Sequence, residues 1–403
     1  MPVQNASSAG LIYAAETTFG TAPSAGGTSQ RMRYTPGSGI NLLKDGFASN
    51  EVRPDQQISD FRHGARRVEG SVTGELSTVT WDDWLAAVMR NTWTAGVSYT
   101  QATGTSVALT GSVFTFGGGS LLTAGFKVGD IVRFTNVPAP GAHVNNRNLR
   151  ITALTATTMT VAAAPAGGNF TAQTTFTLAA AGRKITNGQL LNQFSIEQNY
   201  PDLDMSELFT GCRIGGASFS MPPNGIATVG WQILGQQMQV LNGANAPYFT
   251  SPTAAPTTGA LTGIEGGLRL AGVEQAVVTQ LDLNISLNLS QTPVIGTPIT
   301  PEIFYGRTVV TGQVSFYLEN ETLLNAFGNE TEVDLVAVCL AAGTAPQDFL
   351  AFNLQRVKLN AASKQLVGEG GIIAQAPFQA LLRSGGAGTA FDTTTLTIQR
   401  SNA

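Results

Sequence analysis

The chain has 403 residues, of which 12% are charged and 42% hydrophobic, with 46 glycines and a net charge of −4. That length allows two or three domains, and the apolar content excludes a disordered chain. The sparse, slightly acidic charge excludes a dedicated nucleic-acid binder, which gathers Lys and Arg on one face to neutralise phosphate.

The opening MPVQNASSAG has neither the basic nor the apolar region of a secretory signal. No stretch supplies the roughly 18 apolar residues of a spanning helix, so a cytosolic chain without membrane binding of its own is expected. Strand signals then dominate: VEGSVTGELS (68–77), VGDIVRFTNV (128–137), RITALTATTMTV (150–161), TQLDLNISLNLS (279–290) and RTVVTGQVSFYL (307–318) alternate apolar with polar residues. One helix stands out, WDDWLAAVMR after Thr80. There the Thr80 hydroxyl is expected to cap the first turn, Asp82 and Asp83 to favour its positive end, and Trp81, Trp84, Leu85 and Val88 to form a stripe against a sheet.

Sliding the chain on itself brings out an internal repeat. VTGELSTVTWDDWLAAVM and VTGQVSFYLENETLLNAF match at an offset of 238, placing Thr73, Gly74 and Ser77 against Thr311, Gly312 and Ser315. A second match sets Val229 and Gly230 of ATVGWQILGQQM against Val367 and Gly368 of QLVGEGGIIAQAPF at an offset of 138, implying an insertion of about 100 residues in the first copy. Composition places the insertion at 95–181, rich in Gly, Thr and Ala. The expected division is a first module of 1–94 with 182–246, an inserted small β domain at 95–181, a Pro/Thr/Ala linker at 247–263 and a second module at 264–403.

Catalytic chemistry is scarce. Only His63 and His143 offer a group titrating near neutrality, and neither has a second ligand at metal spacing. The pair Asp202 and Asp204 lacks the glycine and closing glutamate of a calcium loop, and Cys212 and Cys339 show no CxxC spacing. No catalytic, cofactor-binding or metal residue is assigned, and no enzyme is expected. The densest charge patch joins Arg62, Arg66 and Arg67 to Asp55, Asp60 and Glu51. It reads as an intersubunit salt-bridge loop, because Arg forms bidentate pairs with carboxylates and is enriched at interfaces.

The ordered set YAAETTFGTAP (13–23), ASNEVRPDQQISDFRHGARRVEGSVTGELS (48–77), the Trp helix, FSIEQNYPDLDMSELFTGCRIGGASFSM (194–221) and VKLNAASKQLVGEGGIIAQAPFQALL (357–382) resembles the tail tube family of long-tailed bacteriophages. The segment FKVGDIVRFTNV with NNRNLRITALTATTMTV resembles the accessory β domain of some members. The resemblance implies a mainly β fold: two tandem sandwich or barrel modules, each with a short flanking helix, plus the inserted domain, projecting outward. It implies self-association into stacked rings around a lumen that passes double-stranded DNA. A trimer imitating sixfold symmetry follows if the repeat holds, and a hexamer if it does not. It also implies a tape-measure protein, a terminator and tip proteins as partners, and a place in the virion tail after assembly in the host cytoplasm. Three other readings stand beside it: another virion structural protein such as a decoration or baseplate component, a β-rich adhesin for surface glycans, and a carbohydrate-active enzyme.

Overall fold

Along each long strand alternate side chains enter the core. Val68, Val72 and Leu76 do so in one strand, Val229, Trp231 and Ile233 in another, while Ser71, Thr73, Thr228 and Gln232 face away. The computed structural model describes residues 3–100, 103, 105–270, 273–275, 278–318, 321–364 and 370–401. Counting only the framework, the chain runs β1 (Gly10–Ala15), β2 (Gly39–Ala48), β3 (Phe61–Glu75) and α1 (Asp82–Met89). After a segment with strands of its own come β4 (Phe194–Tyr200), β5 (Met205–Met221), β6 (Thr228–Gly235) and β7 (Gln237–Asn242). The rest is β8 (Leu261–Leu270), β9 (Val278–Ser286), β10 (Val309–Tyr317), α2 (Thr322–Gly328), β11 (Val333–Ala341), β12 (Phe349–Leu359), β13 (Ile373–Ala380) and β14 (Thr397–Arg400).

Pairing is antiparallel and follows one pattern twice. In the first half β1 pairs with β4, β4 with β5, β5 with β7 and β6, β6 with β3, and β3 with β2. In the second half β8 pairs with β11, β11 with β12, β12 with β14 and β13, β13 with β10, and β10 with β9. The elements correspond one for one in chain order, with α1 and α2 at the same place.

Sheet register refines the alignment. Gly74 lies opposite Val229 and Gly312 opposite Phe378, so the later strands correspond at an offset of 149 (378 − 229) rather than 138. Val367 and Gly368 themselves lie outside the described residues. The separation between the paired residues is 155 in the first half (229 − 74) and 66 in the second (378 − 312), an excess of 89 residues. A match of Val-Gly dipeptides carries less information than register, which places every side chain on one face or the other.

The two halves share one core. Trp81, Trp84, Trp231 and Phe219 belong to the same buried cluster as Phe352 and Phe378, and the rings of Phe219 and Phe352 are 4.8 Å apart between centroids. Trp84, Leu85, Val88 and Met89 of α1 are buried in it, each contributing about 1.5–3 kcal/mol over exposure. The helix start differs from expectation: Trp81 occupies the N-cap with no side-chain cap, and Thr80 Oγ1 instead shares a hydrogen bond with Ser77 Oγ (2.6 Å). Asp82 is held by Arg400 from the chain's last strand, and Asp83 accepts from the Tyr13 hydroxyl (2.9 Å), so both carboxylates serve tertiary contacts.

Residues 98–180 build a separate eight-stranded sheet around their own apolar cluster, which includes Phe114, Phe116, Phe126 and Phe134. The expected strand at 150–161 is two, Leu149–Leu154 and Thr158–Val161, turned by Thr155 and Thr158, whose hydroxyls bond to each other (2.6 Å). The segment's ends meet, Ala95 lying opposite Arg183. It is seated on the second half. Lys127 Nζ donates to the carbonyls of Gly386 (2.6 Å) and Thr389 (2.7 Å), the Gln399 amide bonds both backbone groups of Ile131, and Ile131 and Ala181 pack on Phe349 and Ala351. Lys184 bridges Asp130 (3.2 Å) and Asp392 (3.1 Å). Burial pushes the Asp130 carboxyl up, with Lys184 opposing that shift.

Residues 247–260 strap the first half rather than swing free. Tyr248 and Phe249 donate their amides to Glu197 (2.6 and 3.0 Å), and Arg33 donates to the Thr258 carbonyl (2.8 Å). The linker expected to reach residue 263 ends where β8 begins at Leu261.

Two outcomes follow. Lys184→Met strands the Asp130 carboxylate in the interior and should cost about 3 kcal/mol by denaturant unfolding at neutral pH. A buried Asp with a raised folded pKa is protonated in both states at low pH, so the deficit should shrink as pH falls toward the ordinary Asp range. Replacing 97–180 by a short glycine bridge should leave a single cooperative unfolding transition, weakened by roughly 3 kcal/mol for exposing Phe349 and its neighbours.

Candidate assembly surface

One sheet crosses both halves in the order β2-β3-β6-β5-β9-β10-β13-β12, four strands from each. The seam is the pairing of β5 with β9, from Gly216 opposite Ser286 to Met221 opposite Leu281. One face covers the shared core. The other carries hydroxyls and amides: Thr73, Ser218, Ser220, Thr228, Asn284, Thr311 and Gln313 line a shallow cleft of about 720 Å³ running across the seam.

Charge on this face is sparse, and each of the charged groups named below has a bonded partner. Asp282 accepts from Ser220 Oγ (2.7 Å) and from Gln280 Nε2 (2.7 Å). Arg67 sits against Asp45 and Glu69 (2.6 Å to the latter), Arg356 against Glu332 (2.7 Å) and Lys358 against Glu330 (3.5 Å). The Arg356 hydrogen bond holds the Glu332 carboxyl below its ordinary range. The surface is hydrophilic, and the residues named on it carry slightly more carboxylates than cations.

Both margins of the sheet end in open strand. Among the described residues β2 pairs with no strand but β3, the Gln198 side chain bonding both backbone groups of Ile40 (3.0 Å each), and Lys358 and Leu359 of β12 have β13 on one side and no strand on the other. An open edge presents unpaired N–H and C=O groups and is a ready template for another chain.

Each half also carries an arm between its hairpin strands. The second arm, residues 287–308, is clasped onto the first half. The Arg66 amide donates to the Pro298 carbonyl (2.8 Å), Gln236 Nε2 to the Thr300 carbonyl (2.8 Å), and Gln291 Nε2 to the Gly235 carbonyl (3.0 Å). Arg213, buried, pairs with Glu302 (2.6 Å), bonds the Ile303 carbonyl and stacks over Phe19 (4.5 Å) and Tyr305 (5.2 Å). Arg90 also lies over the Tyr305 ring, at 4.4 Å. The first arm, residues 49–60, has no such seat and exposes Val52 (96%) and Ile58 (73%) at its tip. At its root Phe47 lies over Gly64 and Phe61 over Gly46, so close that a Cβ on either glycine would fall within 2.4 Å of the ring.

The charged residues singled out in the sequence spread along this first hairpin. Asp55 pairs with Arg53 (2.9 Å), Asp60 with Arg62 (2.8 Å), Arg67 with Asp45 and Glu69, and Arg66 contributes its backbone to the second arm. Of the repeat positions, Thr73 and Thr311 face the polar cleft, and Ser77 and Ser315 are buried. Gly74 and Gly312 each lie under an aromatic ring, Trp81 at the N-cap of α1 in one case and Phe378 from the adjacent strand in the other. His63 stands exposed against Phe61, His143 touches the Pro140 carbonyl (3.0 Å), and Asp202 fixes the N-terminal turn through Asn5 (2.8 Å) and Ser8 (2.6 Å). Arg213, Tyr305 and the seam carried no sequence signal of their own.

The family model for the phage tail tube protein matches residues 6–380 of the chain. No curated protein matches it. Arg213→Ala, which removes the ion pair and both ring contacts of the clasp, should cost roughly 2–3 kcal/mol and open residues 292–301 to limited proteolysis before global unfolding.

Proposed function

Because the chain belongs to the phage tail tube protein family, we propose that it is the repeating unit of the tube wall, with its two halves acting as equivalent modules set side by side in a ring. The observation that carries this reading is the continuous sheet of four strands from each half with open strand at both margins. Joining the β12 margin of one chain to the β2 margin of the next extends the sheet in the same sense. Three chains of eight strands close a 24-stranded barrel with threefold symmetry that imitates sixfold. The seam between β5 and β9 is then the internal counterpart of the junction between chains. The contact is heterologous, and such contacts close into rings when the rotation between copies divides the circle.

The hydroxyl and amide face of that sheet lines the lumen. A wall of Thr, Ser, Asn and Gln with a few carboxylates presents no cluster of cations, so DNA passes without the affinity that counterion release gives to a basic channel. The opposite face lies against the core, and the domain at 98–180 projects from the outside, fixed by Lys127, Gln399 and the Asp130–Lys184–Asp392 bridge. Ring stacking, a tape-measure protein in the lumen, and terminator and tip proteins at the ends complete the proposed assembly in the virion tail, built in the host cytoplasm.

Labelling tests the assignment of faces. Ser218→Cys and Ala156→Cys are both exposed in the free chain, whereas the native Cys212 and Cys339 are buried, burial pushing the Cys339 thiol up to about 12. In assembled tubes a bulky polymer-linked maleimide should modify the Ala156→Cys variant at its free-chain rate and the Ser218→Cys variant at least tenfold more slowly. Equal protection of both, or protection of the Ala156→Cys variant alone, would reverse the assignment.

A further inference from the structure

At the root of the outer domain one amine faces two carboxyl groups in a largely buried site. We propose that Lys184 and Asp130 condense to an isopeptide bond, with Asp392 carrying the protons, so that the domain at 98–180 is joined covalently to the framework. The bond lies within a single chain and stands whether or not the chain closes into rings.

Three separate segments supply the groups. Asp130 precedes the strand Ile131–Thr135 of the outer domain, Lys184 lies in the strand Arg183–Thr186, which pairs with β14, and Asp392 stands in the loop before β14. The side chains of Asp130, Lys184 and Asp392 are 2%, 18% and 21% exposed. Lys184 Nζ stands 3.2 and 3.4 Å from the two Asp130 oxygens and 3.1 Å from Asp392 Oδ2. The Asp130 carboxyl carbon is thus within reach of the amine, and a proton acceptor is already bonded to that amine. Lys127 is committed elsewhere, its Nζ donating to the carbonyls of Gly386 and Thr389, so one lysine serves two carboxyl groups. Holding reacting groups within about 3.5 Å removes the entropy cost of bringing them together. Apolar packing shields the site: Val128 and Phe391 belong to the apolar packing of the outer domain, and Ile131 lies against Phe349. Excluding water in this way protects a formed amide from hydrolysis.

Amide formation needs a neutral amine, a neutral carboxylic acid and a group to move protons between them. Burial, opposed by Lys184 and aided by the Asp392 charge, pushes the Asp130 carboxyl up toward its acid form. Lys184 is desolvated by burial, yet the two carboxyl groups hold it as the ammonium, above its ordinary range. Its proton passes to Asp392 along the 3.1 Å hydrogen bond and frees the amine. Nζ then attacks Cγ of protonated Asp130, and the Nζ–Cγ bond forms. The Lys127 backbone N–H, 2.9 Å from Asp130 Oδ2, stabilises the oxyanion that develops. Asp392 gives its proton to the departing hydroxyl and takes one from the nitrogen, the Cγ–O bond breaks, and water leaves. One ammonium, one carboxylic acid and one carboxylate give one amide, one water and a protonated Asp392, with no change in oxidation state.

Mass spectrometry of the full purified chain reads the bond directly. After prolonged incubation at neutral pH the intact mass should lie below the sequence mass by one water. A tryptic digest should then hold a branched species joining residues 128–133 to residues 184–213, uncut at Lys184. Lys184→Arg, which keeps the charge, and Asp392→Asn, which keeps both reacting groups, should each retain the full sequence mass while remaining folded by circular dichroism. Full sequence mass and two separate peptides from the folded, unsubstituted chain would overturn the proposal. A water deficit that persists in the Lys184→Arg chain would overturn it as well, because the water then comes from another site. A branched peptide from the Asp392→Asn chain would contradict the role given to Asp392.

Discussion

The structure depends on the seam between β5 and β9. A strand has two edges, and β5 is long enough to use both along its whole length. Its first part lies between β4 and β7, its second between β6 and β9. Because β9 belongs to the second half, the edge of one half is completed by the other, and Phe219 on β5 meets Phe352 of the second half in the core beneath. Separating the halves would bare both an apolar layer and a row of backbone groups, each costly to expose. The halves are therefore one folding body that repeats a single pairing pattern.

Assembly follows from the same constraint. A sheet whose internal seam is an edge-to-edge pairing, and whose outer margins offer edges again, needs no new kind of interaction to polymerise. An open edge is a hazard in a soluble monomer; in the proposed ring it meets the edge of the next copy. The hydroxyl face is a consequence of period-two alternation: with every second residue committed to the core, the remaining ones are free to be small, polar and uncharged.

Much of this was legible in the sequence, and the part that was not has a physical reason. Alternation in 68–77, 279–290 and 307–318 marked β3, β9 and β10, and the Trp-rich segment marked α1, because these signals are local. The matched Thr-Gly steps at 73–74 and 311–312 pointed to the repeat, since each glycine sits under a ring where a Cβ would not fit. The later match at an offset of 138 instead of 149 shows the limit: strand register is set by partners far along the chain, and Val-Gly is too common a dipeptide to fix it. Thr80 read as a cap because cap chemistry depends on residue type, whereas its actual partner, Ser77, is chosen by the turn. The seam and the Arg213 clasp join residues separated by up to some 90 positions, and no window of sequence contains them.

An image reconstruction of the assembled tube in cross-section tests the central claim most directly. The account predicts an unbroken ring of 24 strands around the lumen, with sixfold density near the wall that resolves to threefold once the outer domain at 98–180 is included. A ring of six chains, or a wall interrupted at each chain boundary, would contradict it.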